Sequence, residues 1–464
     1  MGVRALRCLA TCRHASACLR AGDLRLLFSR FRRKILHELR IFAREVAANL
    51  RIVKPCSMAH ALSAVAALVA MLGAASADGV AVMDRARPLY DAKGIPVDGF
   101  RLFPEADVGV NLTDNVFQTD ANKKSDVNIR IAPAFRLASE WSQHMLEFFG
   151  SLTALRYADH SSENLTNWNV GGRGRLDIRR GAAFFAGASH AVEHEGRSSP
   201  NSPGDIAEPV RYSVFHSDAS VSFQPNRLRV LIGGEFDRYS YDATPLFGGG
   251  FLNNHDRDRD ELRLRGRVSY EISPGYLAFV EAAYIRREFD LALDRTGVNR
   301  DSNGSAFNAG FEFELVEFLH GEVFVGRLDR HFGAPLKDFS GFNYGSTLTW
   351  LATPLTTVRL SAARMLSETT VPGASIGVDN TFGVGVDHEL RRNVILQANL
   401  SYVDSEFLGT LRDDSYIEGR LGATYLIDRN LSATAGYERR QRESNAPGED
   451  YSEDKFSVGL HVQL

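Results

Sequence analysis

Cysteine is absent from most of this 464-residue chain. All four cysteines lie within the first 56 residues, at Cys8, Cys12, Cys18 and Cys56. The absence excludes disulfide bonds and thiolate metal ligands from everything that follows. It is typical of a protein exported to a compartment where free thiols are oxidised.

Long apolar runs are also scarce. The one run covers residues 61–75, and a membrane-spanning helix needs about 20 residues. The small residues Ala75-Ser76-Ala77 follow it and resemble a signal-peptidase site. We therefore predict a secretory signal peptide over residues 58–77. Residues 1–57 are then a basic N-terminal extension from a start codon assigned too early, or alternatively a regulatory or targeting segment.

The chain beyond the predicted signal has no excess of positive charge. The whole chain carries 54 Lys/Arg and 57 Asp/Glu. Residues 1–57 contain thirteen of the basic and three of the acidic residues, and residues 58–77 contain none of either. The remaining 41 basic and 54 acidic residues make the mature chain acidic. No nucleic-acid partner is expected for a chain of this charge.

What the mature chain has in abundance is strict alternation of apolar and polar residues. In 261–272, Leu262, Leu264 and Val268 share one face, and arginines occupy the other. The last ten residues, 455–464, alternate in the same way. Successive side chains of a β-strand point to opposite faces, so a pattern that repeats every two residues gives one apolar face and one polar face. Apolar-out and polar-in alternation is the sequence signature of a transmembrane β-barrel.

Connections between the predicted strands alternate between short and long. Eight short turns, such as Ser273-Pro274-Gly275, alternate with nine long loops, such as 241–260. Short periplasmic turns and long extracellular loops are typical of outer-membrane barrels. We predict an all-β fold, an antiparallel barrel of about 18 strands (16–18) over residues 106–464, preceded by a periplasmic arm at 78–105. The alternative is a soluble all-β sandwich or propeller.

Three short motifs resemble catalytic or metal sites. His190–His194 matches the H-x-x-E-H zinc pattern, but that pattern needs a helix, and four strand residues span roughly 13 Å. Gly373–Gly377 matches G-x-S-x-G but lies in a predicted loop. Asp256–Asp260 resembles a calcium loop without its glycine and final glutamate. We predict no catalytic residue, no metal site, no cofactor and no enzymatic activity.

The candidates for a functional role are charged residues predicted on the inward faces of several strands. A barrel of 16–18 strands is wide enough for an aqueous channel, and rings of charge select what passes. The alternative is that these charges are solvated and paired with each other. The candidate lumen residues are Arg173, Arg175, Asp177, Arg179, Arg263, Arg265, Arg267, Glu312, Glu314, Glu418 and Arg420. No inward aromatic ladder for stacking on sugars is evident.

A family resemblance is visible in residues 85–117. It rests on Arg85, Arg87, Pro88, Tyr90, Asp91 and Gly94, followed by the tetrapeptide Asp114, Asn115, Val116 and Phe117. This stretch resembles the start of the putative β-barrel porin 2 family. One departure is the final Leu464, where such barrels usually end in Phe.

The resemblance implies an outer-membrane channel, integral in the Gram-negative outer membrane and often tied to exopolysaccharide or capsule export. Expected partners are outer-membrane lipid and lipopolysaccharide, the outer-membrane assembly machinery and periplasmic polysaccharide-export proteins, around a monomeric barrel. Two further hypotheses remain: a general diffusion porin for small solutes, and a structural outer-membrane barrel.

The cleavage site has a direct test. Mass spectrometry of the purified protein should show Asp78 as the first residue, because the small residues before it fit the signal peptidase. Peptides from residues 1–57 in that preparation would contradict the prediction.

Overall fold

The computed structural model describes residues 79–202, 204–315 and 318–464. The predicted basic extension and signal peptide lie outside these residues. Among the described residues, no helix is long and apolar enough to cross a membrane.

Eighteen long strands follow one another along the chain, each pairing antiparallel with the next. The alternation of β-branched and aromatic residues with polar ones favours this extended conformation. In chain order the strands are β1 Phe100–Thr113, β2 Asp126–Ser139, β3 Met145–Tyr157, β4 Leu165–Arg179, β5 Ala182–His194, β6 Arg211–Phe223, β7 Leu228–Tyr241, β8 Arg259–Ser273, β9 Tyr276–Phe289, β10 Ser302–Leu315, β11 Leu319–Phe332, β12 Phe339–Thr353, β13 Thr356–Ser367, β14 Ile376–Arg391, β15 Val394–Leu408, β16 Asp413–Leu426, β17 Leu431–Ser444 and β18 Tyr451–Gln463.

The last strand closes the sheet on the first. β18 pairs antiparallel with β1, from Glu105 opposite Gln463 to Thr113 opposite Lys455. Closure leaves neither strand with an unpaired edge, which lipid would not tolerate. The predicted antiparallel barrel of 18 strands is confirmed.

The connections keep the short and long alternation that the sequence predicts. Two-residue turns such as Pro274–Gly275 join strands at one end, where Gly275 takes the left-handed conformation with φ of 78°. Loops such as 242–258 join them at the other end. The short turns mark the periplasmic end, and the long loops mark the extracellular end.

The two faces of the barrel differ in chemistry. The outward face exposes apolar side chains, for example Ile232 (63% exposed), Phe307 (60%) and Val458 (59%). The inward face carries ion pairs between strands that are not neighbours. Arg267 of β8 lies 2.7 Å from Glu322 of β11, across two intervening strands. Side chains that far apart in a sheet meet only on its concave side, so these charges face the lumen.

The barrel begins earlier than the sequence indicated. β1 starts at Phe100, six residues before the predicted boundary, and Ile95–Val97 pairs back on its first residues. Pro104 is therefore inside a strand. Its carbonyl oxygen accepts a hydrogen bond from the Leu464 amide, so its missing N–H faces the side where β18 ends. Proline is tolerated at such a place because little pairing is lost.

The closing seam can be tested through a glycine pair. Gly109 of β1 lies opposite Gly459 of β18, and a Cβ on Gly109 would lie 2.8 Å from the Val458 carbonyl oxygen. We expect Gly109→Val to destabilise the barrel by about 1–3 kcal/mol, because the seam must shift to fit it. Urea titration and the compact form on unheated gels measure this. Gly266→Val is the control, since a Cβ there meets no atom within 4 Å; equal stability of the two variants would contradict the prediction.

Candidate functional site: the lumen and the loop cluster

The arginines predicted on β8 form a ladder inside the barrel. Arg263, Arg265 and Arg267 alternate with outward residues, so successive rungs lie about 7 Å apart. Arg267 pairs with Glu281 (2.8 Å) and Glu322 (2.7 Å). Arg263 lies 3.2 Å from Glu235. Arg265 is exposed and forms no ion pair among the described residues.

The predicted arginines of β4 divide into two groups. Arg173 pairs with Glu147 at 2.6 Å, and Arg175 pairs with Asp177 at 2.6 Å. Arg179 follows a shift in the β4–β5 register and stacks over the Phe223 ring at 5.0 Å. Arg179 therefore lies at the periplasmic end of its strand, apart from the lumen arginines.

The remaining predicted charges lie in two further groups. Glu312 of β10 accepts from Arg229 at 3.3 Å; Glu314 follows in that strand, and its side chain lies outside the described part. Glu418 and Arg420 of β16 join a four-member network with two residues of β17, Glu438 and Arg440. The lumen is thus lined by charges of both signs. Their role in selectivity stays a prediction.

A cluster that the sequence did not predict joins three long loops. We name it the loop cluster: Glu195 of the β5–β6 loop, Arg257 of the β7–β8 loop and Glu368 of the β13–β14 loop. Both Arg257 terminal nitrogens bind Glu195, at 3.0 and 2.6 Å, and one lies 3.3 Å from Glu368. Arg257 is 2% exposed, and its guanidinium lies 4.0 Å from the centre of the Tyr241 ring.

Further contacts tie these loops together. Asn201 donates through its amide to the Glu368 backbone carbonyl at 3.1 Å. Arg300 of the β9–β10 loop donates to the backbone carbonyl of Thr369 at 2.8 Å. Loops that start from strands around the barrel therefore meet one another on the inner side of the extracellular end.

Electrostatics keeps the loop carboxylates charged. Burial by itself raises the pKa of Glu368, but Arg257 and Arg259 outweigh it, and the pKa is lowered from its ordinary value. Burial also raises the pKa of Asp294, but hydrogen bonds from Thr296 and Arg300 outweigh the effect of burial. The pKa of Asp294 is therefore lowered to about 2. These groups are anionic at neutral pH, so the loops are joined by full charges.

Aromatic side chains line the inner face just below the loops, where sequence analysis found no inward aromatic series. Arginines cover several of them: Arg259 lies 4.1 Å from the Tyr239 ring centre, and Arg442 lies 5.4 Å from that of Tyr451. These aromatics occur once or twice per strand, at the strand ends. These aromatic residues are neighbours only around the circumference of the closed barrel, so they do not form a recognisable pattern along the sequence.

The N-terminal arm lies at the periplasmic end. Arg85 and Arg87 both reach Glu389 of β14, at 3.3 and 3.1 Å. Further along the arm, the Tyr90 carbonyl accepts from the Gln463 side chain at 2.8 Å. The arm thus contacts both the β14 side and the β18 side of the mouth.

The other arm residues of the family stretch have local roles. Arg429 donates to the Pro88 carbonyl at 2.8 Å, and Asp91 accepts from the Arg87 amide. Gly94 has φ of 67°, and its amide donates to the Leu464 carbonyl at 3.2 Å. The arm is therefore fastened through backbone groups as well as charges.

The tetrapeptide of the family stretch fastens the extracellular end of the seam. The Asp114 carboxylate accepts from the Asp454 amide at 2.7 Å. Asn115 is fully buried and donates to the Ser452 carbonyl at 2.9 Å. Val116 is buried, and Phe117 packs edge-on against His160. The motif therefore holds the first loop on β18.

Side chains from two of the motifs that resemble catalytic or metal sites are bound to other residues of the barrel and its loops. His190 packs against Trp168, with ring centres 5.3 Å apart, and Glu193 accepts from Tyr212. Asp256 is bound by Arg295. Within residues 79–202, 204–315 and 318–464, no group of three His, Cys, Asp or Glu is arranged to hold a metal ion.

A closed barrel with an apolar exterior, a charged lumen and inward-facing loops defines a porin-like barrel of the outer membrane. The chain belongs to the family described as Putative beta-barrel porin 2, whose sequence pattern matches residues 87–464.

A search of solved structures matched this chain to bacterial proteins at low sequence identity. The siderophore receptor PirA from Acinetobacter baumannii is 8% identical over 78% of this chain and 80% of its own, with a TM-score of 0.44. OpdK from Pseudomonas aeruginosa, solved with vanillate, is 8% identical over 78% and 99%, with a TM-score of 0.42. OccK3 from the same organism is 12% identical over 79% and 96%, with a TM-score of 0.41. A search of curated proteins found no match.

The loop cluster makes a specific prediction about opening. Glu368→Gln keeps the shape of the side chain but removes the charge facing Arg257. We expect it to weaken the joined arrangement of the loops by about 1.5–3 kcal/mol. Single-channel recording in planar bilayers should show a larger open fraction than for the wild type. Asp338→Asn is the control, because Asp338 pairs with His331 at the end of β11 and both side chains are exposed (54% and 59%).

The pH dependence has a fixed sign. The folded pKa of Glu368 lies below its unfolded value, so its stabilisation is complete above about pH 4.3 and is lost as pH falls through the folded pKa. Wild-type channels should open more often in acid, and the Gln variant should lose part of that response. An unchanged open fraction in the variant at neutral pH would contradict the role of Glu368.

Proposed function

We propose that this protein is a gated outer-membrane conduit for an exported polysaccharide. The observation that carries the gating is the loop cluster, where one buried arginine joins carboxylates from two other loops. Buried ion pairs of this kind are lost at a large cost when one partner leaves. The resting barrel is then mostly closed, and a substrate or partner shifts it to the open state.

The polysaccharide assignment is supported by the family and by the chemistry of the lumen. The chain belongs to the Putative beta-barrel porin 2 family, and resemblance to that family implies a link to exopolysaccharide export. The lumen adds arginines, carboxylates and aromatic rings, which are groups that bind sugar hydroxyls and ring faces. The conduit performs no bond chemistry in this proposal; its residues bind and orient a passing chain.

Partners follow from where the contacts lie. Lipid and lipopolysaccharide cover the apolar exterior, and the outer-membrane assembly machinery inserts the barrel. Periplasmic polysaccharide-export proteins deliver the chain at the mouth where the arm is held by Glu389. A monomer suffices, because the lumen is complete within one chain.

A general diffusion porin is the second candidate. It is favoured by Arg265 in the lumen, which has no ion pair with any described residue and is available to any small anion. The two functions differ in conductance: a diffusion porin is open at rest, whereas a gated conduit is mostly closed.

Gene deletion tests export directly. We expect loss of secreted polysaccharide in the deletion strain, measured as carbohydrate in the culture medium, and its recovery with the wild-type gene. Secretion at the wild-type level in the deletion strain would overturn the proposal. Separately, purified protein that is fully open in planar bilayers would favour the diffusion porin.

A further inference from the structure

Two buried arginines flank strand β10 just below the loop cluster, and we call the inward-facing strip of β10 between them the groove. Arg287 of β9 is 7% exposed and Arg330 of β11 is 4% exposed. Strand β10 runs between them, and there Gly304 lies opposite Arg330 and Ser302 lies opposite Arg287. Ser302 and Gly304 are both small, so no large side chain of β10 stands between the two arginines. The two arginine backbones are separated by two strand spacings and by two residues along the strands, which together amount to roughly 12 Å.

Two polar groups in this groove have no partner in the described part of the chain. The Arg330 Nη1 and the Ser302 hydroxyl are both buried and make no hydrogen bond within the described structure. A buried cation without a partner is costly, and such groups need an explanation. Arg330 also forms no ion pair among the described residues, whereas Arg287 lies 3.0 Å from Glu261.

The charges around the groove do not balance. Glu261 serves both Arg259 and Arg287, while Arg257 is matched to Glu195 and Glu368. With Arg330 added, the group holds four arginines and three carboxylates. The arginines are Arg257, Arg259, Arg287 and Arg330, and the carboxylates are Glu195, Glu261 and Glu368. Among the described residues of this group, Arg330 is the arginine that has no carboxylate partner.

We propose that this groove binds one carboxylate group of the exported chain, so that the substrate is an acidic polysaccharide. This rests on the proposed conduit function and names its substrate class. The carboxylate accepts from the Arg330 guanidinium and the Ser302 hydroxyl, and Arg287 supplies a second positive charge. Guanidinium binds carboxylate in a fork of two parallel hydrogen bonds.

The path to the groove comes from the lumen. Arg263 lies in the same row of the sheet as Arg330, with Ile285 and Gly304 between them. Arg265 and Arg267 continue from Arg263 toward the periplasmic end. An acidic chain that enters from the periplasm therefore meets Arg265 before it reaches Arg330, and neither has an ion pair among the residues that the structure describes.

The groove is also next to the cluster that closes the loops. Glu368 is an internal carboxylate, and its lowered pKa has a contribution from Arg287 as well as from Arg257 and Arg259. A substrate carboxylate at Arg330 brings a second negative charge toward those arginines. Occupancy of the groove therefore weakens the hold on Glu368 and favours open loops.

Calorimetry on the full mature protein in detergent tests the site. The probes are trigalacturonate, which carries carboxylates, and maltotriose, which is neutral. We expect trigalacturonate to bind and maltotriose to bind at least tenfold more weakly. Arg330→Met should weaken trigalacturonate binding by about tenfold or more, the loss expected for one charge-assisted hydrogen-bonded pair. Arg330→Lys should retain part of the affinity, because it keeps the charge without the fork.

The matched control is Arg286→Met on the outward face of β9, where Arg286 pairs with Glu288. It should bind like the wild type, and compact migration on unheated gels shows that each variant is folded. Equal trigalacturonate affinity in the wild type and Arg330→Met, or equal affinity for the two sugars, overturns the site. If deletion leaves secretion unchanged while Arg330-dependent binding persists, the conduit proposal fails and the anion site stands.

Discussion

Closure of the hydrogen-bonded sheet is the constraint on which the rest of this structure depends. Backbone amides and carbonyls cannot remain unpaired in hydrocarbon, so the first and last strands must meet. They do so between Glu105 and Gln463 at one end and Thr113 and Lys455 at the other. Once the sheet is closed, one face meets lipid and the other encloses water. The apolar residues and the charges of each strand are then separated by alternation alone.

Eighteen strands enclose more space than their own side chains fill. In this protein the long loops occupy part of it, held together by Arg257, Glu195 and Glu368. Just below these loops, the group around Arg330 holds four arginines and three carboxylates, and Arg330 is the one that has no ion pair among the described residues. In the function that we propose, gating and anion binding therefore use one set of charges, and a passing carboxylate competes for the arginines that hold the loops.

The stretch that carries the family resemblance has two structural roles. Its first part binds the arm to Glu389 at the periplasmic mouth, and its Asp114 and Asn115 bind the first loop to β18 at the opposite end. Both parts act where the chain must be fastened after closure. The motif is thus explained by contacts of the barrel itself, and it identifies the family without identifying what passes through the lumen.

The sequence by itself determined the barrel, its 18 strands and which residues face inward, because alternation and loop length are local properties that need no knowledge of partners. It placed the start of β1 six residues late; Pro104 is accommodated inside that strand because the end of β18 lies beside it. Only the tertiary structure decided that Arg257 meets Glu368, 111 residues away in the chain, and that Arg330 and Arg287 flank Gly304 and Ser302. Those pairings depend on strand register and on where the loops converge, and neither is encoded in any single segment.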